Sequence, residues 1–128
     1  MSIRRTPRPA SMPDPAATLS HAVVRAAELL AVPQSELAGI IGLSGATVSR
    51  IANGRRTLEP GSKSWQLAAL FVRLFRSLDA IVGSDDAAAR AWLRGENLAL
   101  GGIPLQLIHE PSGLVRTLEY LDAARARI

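Results

Sequence analysis

The chain contains 128 residues, of which 48% are hydrophobic and 20% are charged, and it has no cysteine. Its size and composition predict one globular domain with a buried core and exclude a fibrous or mostly disordered protein. The lack of cysteine excludes disulfides, thiolate metal sites and a cysteine nucleophile. It also fits a reducing cytoplasm, where we expect the protein to act.

The positive charge is concentrated in the middle of the chain. Residues 44–76 carry six basic side chains and one acidic one, Glu59, for a segment charge of +5 within a total of +4. A cationic segment of this kind predicts contact with a polyanion such as nucleic acid. Residues 1–18 contain three arginines and four prolines, a composition that predicts a flexible basic arm.

Helical spacing dominates from residue 19 onward and strand patterns are scarce, so the sequence predicts an all-α fold. Proline, glycine and capping residues mark the helix ends, with Ser44 as an N-cap and Asn53-Gly54 as a stop. The predicted early elements are a helix over 20–31, a second over 34–42, a third over 44–53 and a polar loop over 55–64.

A long fourth helix is predicted over residues 64–82. This helix is apolar apart from a narrow stripe through Gln66, Arg73 and Arg76, so other elements must cover it. Its charged side chains make it a poor candidate for a membrane span. We also expect a homodimer, because this helix offers apolar surface (Trp65, Phe71 and Phe75) and paired half-sites strengthen DNA binding. A short helix after Asp85-Asp86, a helical turn from Pro104 and a last helix over 112–127 complete the prediction.

Residues 34–53 read QSELAGIIGLSGATVSRIAN. Ala38 is small where two short helices would cross, and Gly42 permits the positive φ of a tight turn. The segment resembles the helix-turn-helix of Xre-type regulators, which implies a recognition helix over 45–52 in the major groove. The side chains so placed at DNA are Gln34, Ser44, Thr47, Ser49, Arg50, Arg55 and Arg56. The alternative is an ordinary helical hairpin with solvated arginines.

A second resemblance covers residues 89–128. Trp92-Leu93, the run LGGIPL over 100–105, Gly113, Val115 and Leu121 are similar to the toxin-binding domain of Xre/MbcA/ParS-like antitoxins. The resemblance implies an antitoxin that covers the active-site entrance of a RES-domain, NAD-degrading toxin and represses their shared operon. The residues assigned to toxin contact on this basis are Gly101, Gly102, Ile103, Pro104, Arg116, Arg125 and Arg127.

The composition, the helical spacing and the two resemblances together predict four parts: a basic arm over 1–18, a helix-turn-helix region over 19–62, a central helix over 63–83 and a toxin-binding domain over 84–128. The alternative function is a stand-alone transcriptional regulator whose C-terminal part only dimerises. We expect the DNA-binding and toxin-binding surfaces to separate at about residue 83.

Catalysis has few candidate groups. His21 and His109 have no second ligand at metal-binding spacing, so we expect no metal site. The segments 42–46 and 61–64 lack the glycines and preceding strands of a nucleophile elbow or a phosphate loop. Asp85-Asp86 opens a helix, which favours dipole stabilisation over paired-carboxylate chemistry. The sequence therefore predicts neither an enzyme nor a cofactor.

Overall fold

The computed structural model describes residues 14–127, and within them the chain forms seven α-helices. The only β-type pairing in this part of the chain is an isolated antiparallel bridge between Asn97 and Gly102. The all-α prediction is confirmed. The helices are α1 (Pro15–Leu29), α2 (Gln34–Ile41), α3 (Gly45–Ala52), α4 (Lys63–Ile81), α5 (Asp86–Arg94), α6 (Pro104–Leu107) and α7 (Pro111–Arg125). Among these residues, no helix combines the length and apolar character needed to span a bilayer.

The first helix begins five residues earlier than predicted, so residues 15–18 are helical and do not belong to a flexible arm. The Asp14 carboxylate accepts a hydrogen bond from the Ala16 amide at 3.1 Å, and Pro15 occupies the first helical position. Aspartate at the N-cap followed by proline is a helix-start signal, which the other prolines of the arm obscured. The rest of the predicted arm, residues 1–13, lies outside the described residues.

The turn between α2 and α3 has the geometry that its sequence predicts. Gly42 adopts the left-handed conformation with φ of +74°, and the Leu43 amide donates to the Ala38 carbonyl at 2.9 Å. Side chains with a Cβ are strained in this conformation, so glycine suits the position. The Ser44 hydroxyl then accepts from the Thr47 amide and starts α3.

Helix α4 forms the centre of the core. Phe71, Leu74 and Leu78 are fully buried, while the predicted polar stripe of Gln66, Arg73 and Arg76 is exposed. Helices α1, α2, α5 and α7 pack against α4, so its apolar surface is covered largely within one chain. The apolar character of α4 therefore does not by itself require a second copy, and the homodimer stays a prediction.

The loop between α3 and α4 is fixed to α1 by one buried hydroxyl. Ser20 is 4% exposed, and its Oγ accepts from the Leu58 amide at 2.8 Å and donates to the Ala16 carbonyl at 2.6 Å. Leu58 inserts its side chain into the core at the same point. Because the loop carries Arg55 and Arg56 just before Leu58, this contact sets where those arginines lie.

Two arginines of α5 connect the C-terminal half to the end of α1. Arg90 donates from Nε to the Leu29 carbonyl at 2.9 Å, and Arg94 donates to the carbonyls of Leu30 and Ala31 at 3.1 and 2.8 Å. The last carbonyls of a helix lack intrahelical partners and carry partial negative charge, so guanidinium groups stabilise them well. The two halves of the chain are thus joined by charge-assisted hydrogen bonds as well as by apolar packing.

Candidate functional site

The first candidate site is the outward surface of α3 and the residues after it. Val48 and Ile51 are buried and fix α3 on α1 and α2, which leaves Ala46 and Arg50 exposed. Arg55 and Arg56 follow immediately after the helix and are also exposed. The Arg55 amide donates to the Arg50 carbonyl at 2.9 Å, so the cationic segment continues directly from the end of α3.

These three guanidinium groups are not neutralised within the described part of the chain. The ion pairs found in residues 14–127 are Arg25–Glu28, Arg73–Asp122 and the His109–Glu36 contact, and none involves Arg50, Arg55 or Arg56. Exposed cations without acidic partners remain available for phosphate groups. Their position beside α3 is the arrangement required of a DNA-binding surface.

The other predicted DNA contacts divide into two groups. Gln34 is exposed at the first position of α2, and Ser49 is half-buried on α3. Ser44 and Thr47 hydrogen-bond to each other through their hydroxyls at 2.9 Å while Ser44 caps α3. Thr47 also lines a small pocket with Ile51 and Arg56, between α3 and the following loop. Ser44 and Thr47 therefore have a structural role in shaping the start of α3.

The second candidate site is the loop between α5 and α6. Asn97 organises it: the Asn97 amide donates to the Gly102 carbonyl at 2.9 Å, and its own carbonyl accepts from the amides of Gly101 and Gly102. Its side-chain oxygen accepts from the Leu100 amide at 3.0 Å. Arg116 on α7 donates to the Leu100 carbonyl at 3.2 Å. The loop is consequently a closed turn tied to α7.

The predicted toxin-contact residues of this loop have structural roles in the turn and at the start of α6. Gly101 has φ of +77° at the exposed corner, and Gly102 packs against the Leu107 side chain. Pro104 is buried as the first residue of α6, and Ile103 is its half-buried N-cap. Pro104 therefore cannot form a contact surface, and a bulky residue in place of Gly102 would press on Leu107 as well as on a partner.

Arg116, Arg125 and Arg127 are exposed, but they do not form one cluster. Arg116 lies near the start of α7 beside the loop, whereas Arg125 and Arg127 lie at the other end of the helix. Nine residues separate Arg116 from Arg125, about 13 Å along the axis. The predicted toxin-contact residues thus fall into two separate regions of the C-terminal half.

Sequence reasoning missed the most exposed apolar side chain of this loop. Leu98 is 96% exposed, and Val115 and Tyr120 on α7 are each 38% exposed. Tyr120 also stacks on Trp92 of α5, with ring centroids 6.2 Å apart. No sequence pattern distinguishes Leu98 from its buried neighbour Leu100, because the two differ only in how the Asn97 turn directs them.

The two histidines have different surroundings in the structure. His21 is exposed on α1. His109 Nδ1 donates to the Leu105 carbonyl at 2.8 Å, which places Nε2 3.6 Å from the Glu36 carboxylate on α2. Residues 14–127 contain no group of three or more metal-ligating side chains. The contacts of His109 connect two elements of the fold.

The fold and its exposed cationic surface define a helix-turn-helix DNA-binding module that continues into a helical C-terminal module. Comparison with protein-family models identifies both parts. Residues 9–73 match the antitoxin Xre-like helix-turn-helix domain, and residues 77–127 match the antitoxin Xre/MbcA/ParS C-terminal toxin-binding domain. The chain belongs to the Xre-like antitoxins, as both resemblances implied. A search of curated proteins returned no match. The matched families are not enzymatic, consistent with a protein that acts by binding.

Proposed function

We propose that this chain is an antitoxin that binds and sterically neutralises a RES-domain, NAD-degrading toxin and represses the operon encoding both proteins. It would act in the cytoplasm as a homodimer bound to operator DNA. The toxin class comes from the resemblance of residues 89–128. Binding to a toxin and to DNA is the coarser activity that the two family matches support.

The observation that carries the DNA-binding part is the unneutralised cationic surface of Arg50, Arg55 and Arg56. Arg50 is on the recognition helix and can reach a guanine or a phosphate, while Arg55 and Arg56 lie past its end and suit the DNA backbone. Gly45 and Ala46 offer no side-chain hydrogen bonds at the start of α3. We therefore expect backbone contacts to supply most of the affinity, and two half-sites to be needed for specificity.

The toxin-binding part is supported by the separation of the two surfaces. The DNA-binding residues lie on α2, α3 and the loop after α3, whereas the exposed residues proposed for toxin contact lie on the 97–102 loop and on α7. Different elements can therefore serve the two partners. Arg125 and Arg127 are accessible cations at the end of α7, and we propose that they face the anionic or nucleotide-binding part of the toxin.

Co-expression with the product of the adjacent gene tests this function. Both genes are placed under unrelated promoters, so repression of the native operon cannot contribute, and growth and cellular NAD are measured. The toxin alone should stop growth and deplete NAD, and this chain should restore both. The Arg50→Ala variant is the matched control, because it should lose operator binding and still neutralise. If the chain binds operator DNA but never restores growth, it is a stand-alone regulator.

A further inference from the structure

The exposed apolar side chains are distributed unevenly. The three large hydrophobic residues that are exposed in residues 14–127 are Leu98, Val115 and Tyr120, and all three belong to the segment that matches a toxin-binding domain. Single exposed apolar residues are common on protein surfaces. Leu98, however, exposes almost its whole side chain at the tip of a loop.

Hydrogen bonds order the backbone on both sides of Leu98. Asn97 forms backbone and side-chain hydrogen bonds across the turn, and Arg116 fixes the Leu100 carbonyl from α7. Leu98 lies between these two fixed points. An apolar side chain presented by an ordered turn loses little conformational entropy on binding, so more of its burial contributes to affinity.

One residue of α7 and one of α5 form an aromatic pair. Arg116 and Tyr120 are four residues apart and occupy the same side of the helix, and Tyr120 stacks on Trp92. Through Arg116, the loop is therefore tied to the side of α7 that carries Tyr120. A surface that combines an exposed leucine with Tyr, Trp and Arg has the composition of an interface hot spot. Val115 is about 140° around the helix from Tyr120, so it lies outside this surface.

We propose that Leu98 is the principal apolar anchor of the toxin complex, inserting into an apolar pocket on the toxin, with Tyr120 and Trp92 packing beside it. We name these three residues the Leu98 surface. The inference rests on the proposed antitoxin function and assigns the contact to a residue other than the glycines of the same loop. The occupant is the toxin because the surface lies within the segment that matches the toxin-binding domain and on elements other than those that carry Arg50, Arg55 and Arg56.

The test is the affinity of three full-length variants for the purified product of the adjacent gene, measured by calorimetry. Leu98→Asp should weaken binding by roughly 30-fold or more, because it places a carboxylate in an apolar pocket and removes a buried leucine. Leu98→Met keeps an apolar side chain of similar volume and should stay within about 3-fold of the unmodified chain. Val115→Asp is the matched control on α7 and should not change affinity.

Thermal stability and operator affinity should stay unchanged in Leu98→Asp, since Leu98 has no role in the core. Equal binding by all variants would overturn the assignment of Leu98 and leave the proposed function intact. Equal weakening by Leu98→Asp and Val115→Asp would also overturn it. If Leu98→Asp instead reduces the oligomeric state of the free chain and leaves its affinity for the toxin unchanged, the Leu98 surface joins two copies of this chain. If the unmodified chain neither binds nor neutralises, the proposed function fails and this inference with it.

Discussion

Gly113 is the glycine on which the packing of α7 depends most directly. A Cβ at this third position of α7 would lie 1.9 Å from the Leu107 carbonyl oxygen and 2.8 Å from its carbonyl carbon. Cβ atoms essentially never approach a heavy atom within 3.0 Å, so α6 and α7 would have to separate by about 1 Å. The obstacle is backbone, and no side-chain rotation can relieve it.

We therefore expect Gly113→Ala to lower the free energy of unfolding by about 2 kcal/mol. Overpacking against a rigid neighbour costs up to about 3 kcal/mol, and the better helix propensity of alanine offsets up to about 1 kcal/mol. For a chain of this length the loss corresponds to a fall in melting temperature of roughly 6–10 °C. Urea and thermal unfolding followed by circular dichroism measure both quantities.

Gly45→Ala is the matched control because no heavy atom lies within 4 Å of the Cβ it would introduce at the first position of α3. It should leave stability unchanged within about 0.5 kcal/mol or raise it slightly. The reasoning is refuted if Gly113→Ala is as stable as Gly45→Ala, since the two helices would then separate without cost.

Other substitutions test the contacts that join the elements. Arg94→Ala removes two charge-assisted bonds to the end of α1 and should cost about 1–3 kcal/mol. Arg94→Lys should recover only part of this loss, because one ammonium nitrogen replaces the two guanidinium nitrogens that each reach a different carbonyl. Ser20→Ala leaves the buried Leu58 amide without its hydrogen-bond acceptor and should lower the free energy of unfolding in urea by about 1–3 kcal/mol. DNA binding should also weaken, because the loop that carries Arg55 and Arg56 becomes less ordered. Arg55→Ala should weaken operator and random DNA alike and reduce the salt slope by about one unit, whereas Arg50→Ala should affect the operator more; equal losses would remove Arg50 from base recognition. Light scattering of the free chain at micromolar concentration should give a dimer, and a monomer would contradict that prediction.

The helix boundaries could be predicted where the sequence contains a strong local signal. Ser44, Gly42, Asp85 and Pro104 each act within one turn of their own position, and each has the role that its residue type predicts. The start of α1 was missed because Asp14-Pro15 follows Pro7, Pro9 and Pro13 in the sequence, a composition that is typical of a flexible arm. Local chemistry was sufficient for the helix-turn-helix, since its turn and caps lie within twenty residues.

Contacts between distant segments could not be predicted in the same way. Arg90 and Arg94 donate to backbone carbonyls at the end of α1. Because every residue type has a backbone carbonyl, no residue pattern in the sequence could predict these hydrogen bonds. The exposure of Leu98 depends on the direction in which the Asn97 turn points it. Arg116 was assigned to a partner, yet one of its donors is used within the chain at Leu100.

The two family matches meet inside α4, between residues 73 and 77, so the helix belongs to both modules. Leu74 and Leu78 are fully buried there, and Ser77 donates to Asp122 of α7 at 2.6 Å. A chain shortened after Gly83 would expose the side of α4 that α7 covers and would also lose Arg90 and Arg94 from the end of α1. We therefore expect it to lose cooperative thermal unfolding and operator binding, although it retains every residue predicted to contact DNA. A shortened chain that unfolds at the full-length temperature and binds operator DNA normally would contradict this, because it would show that α1 to α4 fold without the toxin-binding half.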